Sequence, residues 1–174
     1  MQRADAREEL FERVYGHVYP IIYRVVLRVT GRYDVADELC QEAFIKYYER
    51  IDRFPDSEQA KYWLIRVAKN LALNAVKRSS RERRAYGRVF NEPQPDVPSG
   101  EDRVVRTESE AEVHDALQQL PPKMRSVLVL KEYGQLNYKE IGSILGITEG
   151  NVKVRVFRAR EQLLELLKRN ENAT

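Results

Sequence analysis

Apolar residues recur at threes and fours through most of this chain, and that spacing predicts helices, not strands. Over residues 5–30 the series is Leu10, Val14, Val18, Ile21, Ile22, Val25 and Val29, with Pro20 set to kink or break the run and Gly31 to end it. A second helix is predicted over 34–51, burying Leu39, Ala43, Tyr47 and Ile51. FPDSEQ, at 54–59, reads as a turn in which Pro55 restricts its neighbours and Asp56 and Ser57 offer side-chain caps. The next helix, over 60–78, turns Leu64, Val67, Ala68, Leu71 and Ala75 inward and Tyr62, Arg66, Lys69, Asn70, Leu73 and Lys77 outward, with Trp63 at the border. From 79 to 107 the period is lost, and NEPQPDVPSGED predicts a flexible, extended linker. Helical spacing resumes at Glu108 with Val113, Ala116, Leu117 and Leu120, stops at Pro121 and Pro122, and returns over 123–133 with Val127, Leu128 and Leu130 inside.

The stretch 137–167 predicts two helices meeting at a tight turn. Residues 138–145 place Ile141, Ile144 and Leu145 on one face, and Gly146 then supplies a left-handed residue. Thr148 caps the following helix, and Glu149 in its first turn suits the helix dipole. At about 100° per residue, Val152, Val156, Ala159 and Leu163 form one narrow inward stripe. The outward side holds Val154, Phe157, Arg158 and Glu161 flanked by Lys153, Arg155 and Arg160. A valine and a phenylalanine among arginines on an outward face predict a covering partner. Duplex DNA fits: arginine bonds a guanine edge, apolar groups touch a thymine methyl, and the flanking cations reach phosphates. On the helix at 60–78, aromatics interleaved with cations and an amide suit single-stranded nucleic acid, although Trp63 also fits an ordinary core position.

Composition narrows the choice. A length of 174 residues allows one medium domain or two small ones, and the interrupted periodicity favours two. The net charge of +3 is uninformative, but its distribution is not. Residues 75–90 carry six Lys or Arg against Glu82 alone, whereas 91–120 carry eight acids against Arg103 and Arg106. With Cys40 the sole cysteine and only His17 and His114 as histidines, neither a disulfide, a metal cage nor a thiol–imidazole pair is expected. No run of about 18 apolar residues suits a membrane span, and the charged N-terminus does not suit a signal peptide, so a cytoplasmic protein is expected.

Three segments in order, DVADELCQEAFIKYYERIDRF, AKYWLIRVAKNLALNAVKR and LPPKMRSVLVLKEYGQLNYKEIGSILGITEGNVKVRVFRARE, resemble the bacterial sigma factors of the extracytoplasmic-function (ECF) group. The resemblance implies an all-α, two-domain protein: sigma region 2 at 1–90, an acidic linker at 91–107, and sigma region 4 at 108–174. It implies that Asp37, Gln41 and Glu42, matching the D-x-x-x-Q-E signature, dock on core RNA polymerase with Glu38 beside them. Asp56, Ser57 and Asn70 would line the pocket for a flipped minus-10 base, and Tyr62, Trp63, Arg66, Lys69 and Lys77 would support the melted strand. Lys153, Val154, Arg155, Phe157 and Arg158 would read the minus-35 element. An anti-sigma partner is implied as well, and no cofactor or metal. Asn74 departs from the aspartate of many relatives, and Val154 from the serine of several, which favours methyl contact there over a hydrogen bond.

An ordinary helix-turn-helix repressor or activator would account for 137–167 but not for the aromatic and basic helix before it. An enzyme has little to stand on, since no nucleophile–base pair, paired catalytic carboxylates or phosphate-binding glycine loop is present.

Overall fold

The computed structural model describes residues 2–86 and 108–171, all helix and short turns. The order is α1 (Gln2–Thr30), α2 (Tyr33–Tyr48), a 3-10 turn (Ile51–Arg53), α3 (Ser57–Tyr86), α4 (Glu108–Gln119), α5 (Pro122–Tyr133), α6 (Tyr138–Leu145) and α7 (Glu149–Glu171). The predicted linker at 91–107 lies outside the described residues.

Helices α1, α2 and α3 pack pairwise into a first unit around Val14, Val18, Ile22, Val25, Leu39, Ala43, Tyr47, Ile51, Leu64 and Ala68, all buried. Pro20 does not break α1, which is continuous across it. The proline and Gly16, whose carbonyl loses its i+4 donor, both face solvent, where water can take the place of the missing bond. The buried stripe on the other side holds the helix together. Helix α2 ends at Tyr48, short of the predicted Ile51, and the chain tightens into the 3-10 turn that buries Ile51.

Helix α3 departs furthest from expectation. It begins at Ser57, where the Asp56 carboxylate accepts from the Gln59 backbone N–H at 2.8 Å, and it runs eight residues beyond the predicted end. Residues 80–86 are all exposed, so they contribute no apolar stripe to detect. Good helix formers such as arginine extend a helix already nucleated against the core.

In the second unit α7 packs on α4, α5 and α6. The two units do not stand apart: α1 packs against α4 and α5, and buried apolar side chains of both units form one continuous cluster. Polar bonds reinforce this joint. Arg125, 7% exposed, donates from Nη1 to the Val29 carbonyl at 2.8 Å, and Gln118 Nε2 donates to the Arg28 carbonyl at 3.0 Å. His114 Nε2 lies 3.2 Å from the carbonyl of Gly31, which has φ +76°.

Candidate nucleic-acid interface

The second unit is built to hold α7 at a fixed angle. Asn137 opens α6 with a reciprocal cap: its side chain accepts from the Glu140 N–H at 2.9 Å while the Glu140 carboxylate accepts from the Asn137 N–H at 2.8 Å. Gly146 ends α6 in the left-handed region, φ 68° and ψ 35°, where a side chain would be strained. Thr148 Oγ1 then accepts from the Asn151 N–H at 3.2 Å, capping α7 as its sequence predicts. Val152, Val156 and Ala159 are buried with Leu163 at the margin. Arg160 is tied to Glu132 of α5 at 2.5 Å, bracing the helix from the side.

That bracing leaves the opposite face open. Val154 is 47% exposed and Phe157 63%, with Lys153 and Arg158 exposed and Arg155 half-buried beside them. Lys153 pairs with Glu149 at 3.1 Å, an i,i+4 contact of the solvent-exposed kind that contributes only about 0.3–0.5 kcal/mol. The five residues expected at the minus-35 element therefore share one surface.

The face expected at the minus-10 element is less uniform. Arg66, Asn70 and Lys77 are exposed, and Tyr62 and Trp63 are half-buried, Trp63 lying 5.1 Å from the Phe54 ring. Asp56 is occupied in capping α3 and also accepts from Gln59 Nε2 at 2.9 Å, while Ser57 is the first residue of the helix. Lys69 corrects the sequence reading: it is 7% exposed, not outward, and donates to the Ile144 carbonyl of α6 at 3.3 Å. Burial lowers its pKa first, with Arg66 and Lys77 adding to the effect. Nothing in the local pattern of α3 could reveal a contact with a helix 75 residues downstream.

On α2, Glu38 and Gln41 are exposed, Asp37 and Glu42 half-buried, and Glu42 pairs with Lys46 at 3.3 Å. Asp37 lines a shallow recess with Tyr19, Pro20, Tyr23 and Arg24. The sequence reading missed the apolar extension of this face. Ile45, 62% exposed, and Tyr48, 51% exposed, follow Gln41 at i+4 and i+7, so the i,i+4 spacing carried the signal.

Among the described residues no three His, Cys, Asp or Glu side chains cluster to hold a metal, and no helix is long and apolar enough to cross a membrane. A capped helix-turn-helix offering apolar and cationic groups, joined to a helical unit with an acidic α2 face and a basic α3, is an arrangement suited to binding DNA. The Sigma-70 region 2 family matches residues 14–82, and the Sigma-70 region 4 family matches residues 110–163. The ECF RNA polymerase sigma factor SigW of Bacillus subtilis is 33% identical over 146 residues, covering 79% of this chain and 78% of SigW. The RNA polymerase sigma-H factor of Pseudomonas aeruginosa is 36% identical over 138 residues, 74% of this chain and 70% of that one. The sigma factor RpoE of Bartonella quintana, solved in complex with the anti-sigma factor NepR, superposes with a TM-score of 0.73 at 25% identity over 91% of this chain and 96% of RpoE. This chain belongs to the ECF sigma factors, and it directs promoter-specific transcription initiation.

Proposed function

We propose that the exposed face of α7 reads the minus-35 element as duplex while α3 holds the minus-10 element as single strand, the whole carried by core RNA polymerase docked on α2. The observation that carries this reading is the pairing of Val154 and Phe157, both exposed, with Arg158 on the one face of α7 that its own core leaves free. Inserted in a major groove, Arg158 bonds a base edge, Val154 and Phe157 meet thymine methyls, and Lys153 and Arg155 hold phosphates.

At the minus-10 element a base flipped from the stack costs a few kcal/mol. Stacking on an aromatic ring contributes about 1–3 kcal/mol per base, so Tyr62 and Trp63 can offset much of that cost while the exposed Arg66 and Lys77 hold the backbone. Asn70, with the loop that holds Asp56 and Ser57, selects the flipped base. Asp56 acts here chiefly by fixing the start of α3, since both its oxygens already accept from Gln59.

Polymerase docks on Asp37, Glu38, Gln41 and Glu42, and the exposed Ile45 and Tyr48 give that surface an apolar centre. Residues 1–90 and 108–174 are the two functional units. The chain adds specificity to polymerase and has no catalytic activity of its own, works in the cytoplasm where polymerase and promoters meet, and is restrained by an anti-sigma partner. Support for the last point comes from RpoE, solved with NepR. Gel filtration with purified core polymerase tests the reading: the chain co-elutes with core, and elution apart from it overturns the proposal.

A further inference from the structure

One line of exposed polar side chains runs the length of α3. At about 100° per residue, Arg66, Asn70, Asn74, Lys77, Arg81 and Arg84 fall within about 80° of one another, and all six are exposed. At about 1.5 Å of rise per residue the stripe is about 27 Å long. Its two halves differ in chemistry. The first is flanked by Tyr62 and Trp63, rings on which bases can stack, whereas beyond Asn74 the stripe holds only cations, Tyr86 lying by angle on the opposite side. Packing does not explain the second half. Residues 80–86 are all exposed, so this end of the helix buries nothing. Among the described residues no carboxylate forms an ion pair with Lys77, Arg81 or Arg84. Lys77 and Arg81 stand one turn apart, a like-charge spacing that weakens a helix. The helix dipole accounts for Arg83 and Arg84 in the last turn but not for Lys77, Arg78 and Arg81 before them.

We propose that the far end of α3 is a clamp for duplex DNA: Arg81 and Arg84, with Lys77 leading into them, hold backbone phosphates of the double strand just upstream of the minus-10 element, so that the boundary between melted and paired DNA falls along this helix. The clamp rests on the promoter reading above and adds to it a contact that reads no sequence. Exposed guanidiniums with neither rings nor apolar neighbours on their stripe suit phosphates, which position a protein on DNA without selecting a base. A melted strand needs rings, and on this stripe they end at Trp63. The lengths agree. Arg81 and Arg84 lie about 17 and 21 Å along the helix from Asn70, which selects the flipped base, and at about 3.4 Å per nucleotide these distances correspond to about five and six nucleotides. The clamp therefore touches the spacer between the two elements, a stretch to which neither reading face is assigned.

The test uses the full chain bound to core polymerase and two labelled promoter probes, each single-stranded from the minus-10 element onward. One probe keeps about 12 base pairs of duplex upstream and the other about 3, too few to reach Arg81. Neither includes the minus-35 element. Binding is followed by fluorescence anisotropy between about 50 and 200 mM salt. The Arg81→Gln/Arg84→Gln double variant should bind the long probe roughly tenfold more weakly and with a salt slope lower by about two, while it binds the short probe as wild type does. Arg81→Lys with Arg84→Lys keeps both charges and should restore the slope; a slope that stays low would overturn the clamp. Equal weakening on both probes would assign these arginines to the melted strand, and unchanged binding to both would leave them without a DNA role; either result overturns the proposal. Weaker association of the glutamine variant with core polymerase in the absence of DNA would make an acidic protein surface the occupant and would overturn it too. A wild type that adds no affinity for either probe over core polymerase alone would retract the promoter reading itself, and the clamp with it.

Discussion

Lys69 on α3 and the carbonyl of Ile144 on α6 are joined at 3.3 Å, so a cation expected from the sequence at the minus-10 strand is occupied by the helix-turn-helix unit of the same chain. Brief labelling of the free protein with an amine-reactive ester, read by mass spectrometry, should modify exposed Lys77 well before Lys69. Equal rates would contradict the contact. The sign of the pH effect follows: burial holds this ammonium below its ordinary value of 10.5, so the folded chain binds fewer protons here than the unfolded chain. The contact therefore gains stability as pH rises from the lowered value toward 10.5, and thermal unfolding followed against pH should show that contribution across the window.

Arg158→Ala should weaken use of promoters through the minus-35 element by about 1–3 kcal/mol if the contact to guanine is bidentate, and relax preference at one base position. Lys153→Ala should weaken all sequences alike and reduce the salt dependence by about one counterion. Selection from a randomised promoter library separates the two, and an unchanged base preference in the arginine variant would remove Arg158 from its assigned role.

Replacing Gln41 and Glu42 together by alanine should impair binding to core polymerase with helicity unchanged. The Glu42–Lys46 pair is an exposed i,i+4 contact, which contributes only about 0.3–0.5 kcal/mol. Loss of helical signal in the double variant would mark these residues as structural.

The turn before α7 depends on two local devices, and each should respond to a single change. Asn137→Ala removes the acceptor for the Glu140 N–H and should cost about 1 kcal/mol. Gly146→Ala forces a side chain into φ 68° and should cost about 1–2 kcal/mol. Thermal unfolding measures both, and an unshifted midpoint for either would contradict the cap or turn described.

Cys40 is buried, and burial first, then Asp37, pushes its thiol up to about 12. A thiol reagent at neutral pH should therefore leave the native chain unmodified and react only after unfolding. Prompt native reaction would contradict the packing of α2.

What was legible in the sequence was whatever short-range chemistry decides. Residues 138–145 were bounded correctly because the apolar triplet and Gly146 act within a single turn, and the stripe Val152, Val156, Ala159 is the same kind of signal. The exposed face of α7 followed directly, since a helix with one buried stripe must show the other side. The sequence misled where tertiary context decides. Of the kink or break expected at Pro20, the break does not occur, because the buried side of α1 outweighs one lost bond on the wet side. The end of α3 was invisible because its last turns bury nothing. Lys69 was placed outward by angle alone, and Arg125 drew no notice, since each is buried with a hydrogen bond to a carbonyl of the other unit.

The central claim is that this chain confers promoter choice on polymerase. Purified core enzyme, alone and with the chain, is given a pool of genomic fragments, and the 5′ ends of the transcripts are sequenced. The account predicts new start sites that share two upstream motifs, at the minus-10 and minus-35 elements, and that vanish in the Gln41→Ala/Glu42→Ala double variant. Start sites no different from those of core enzyme alone would contradict it.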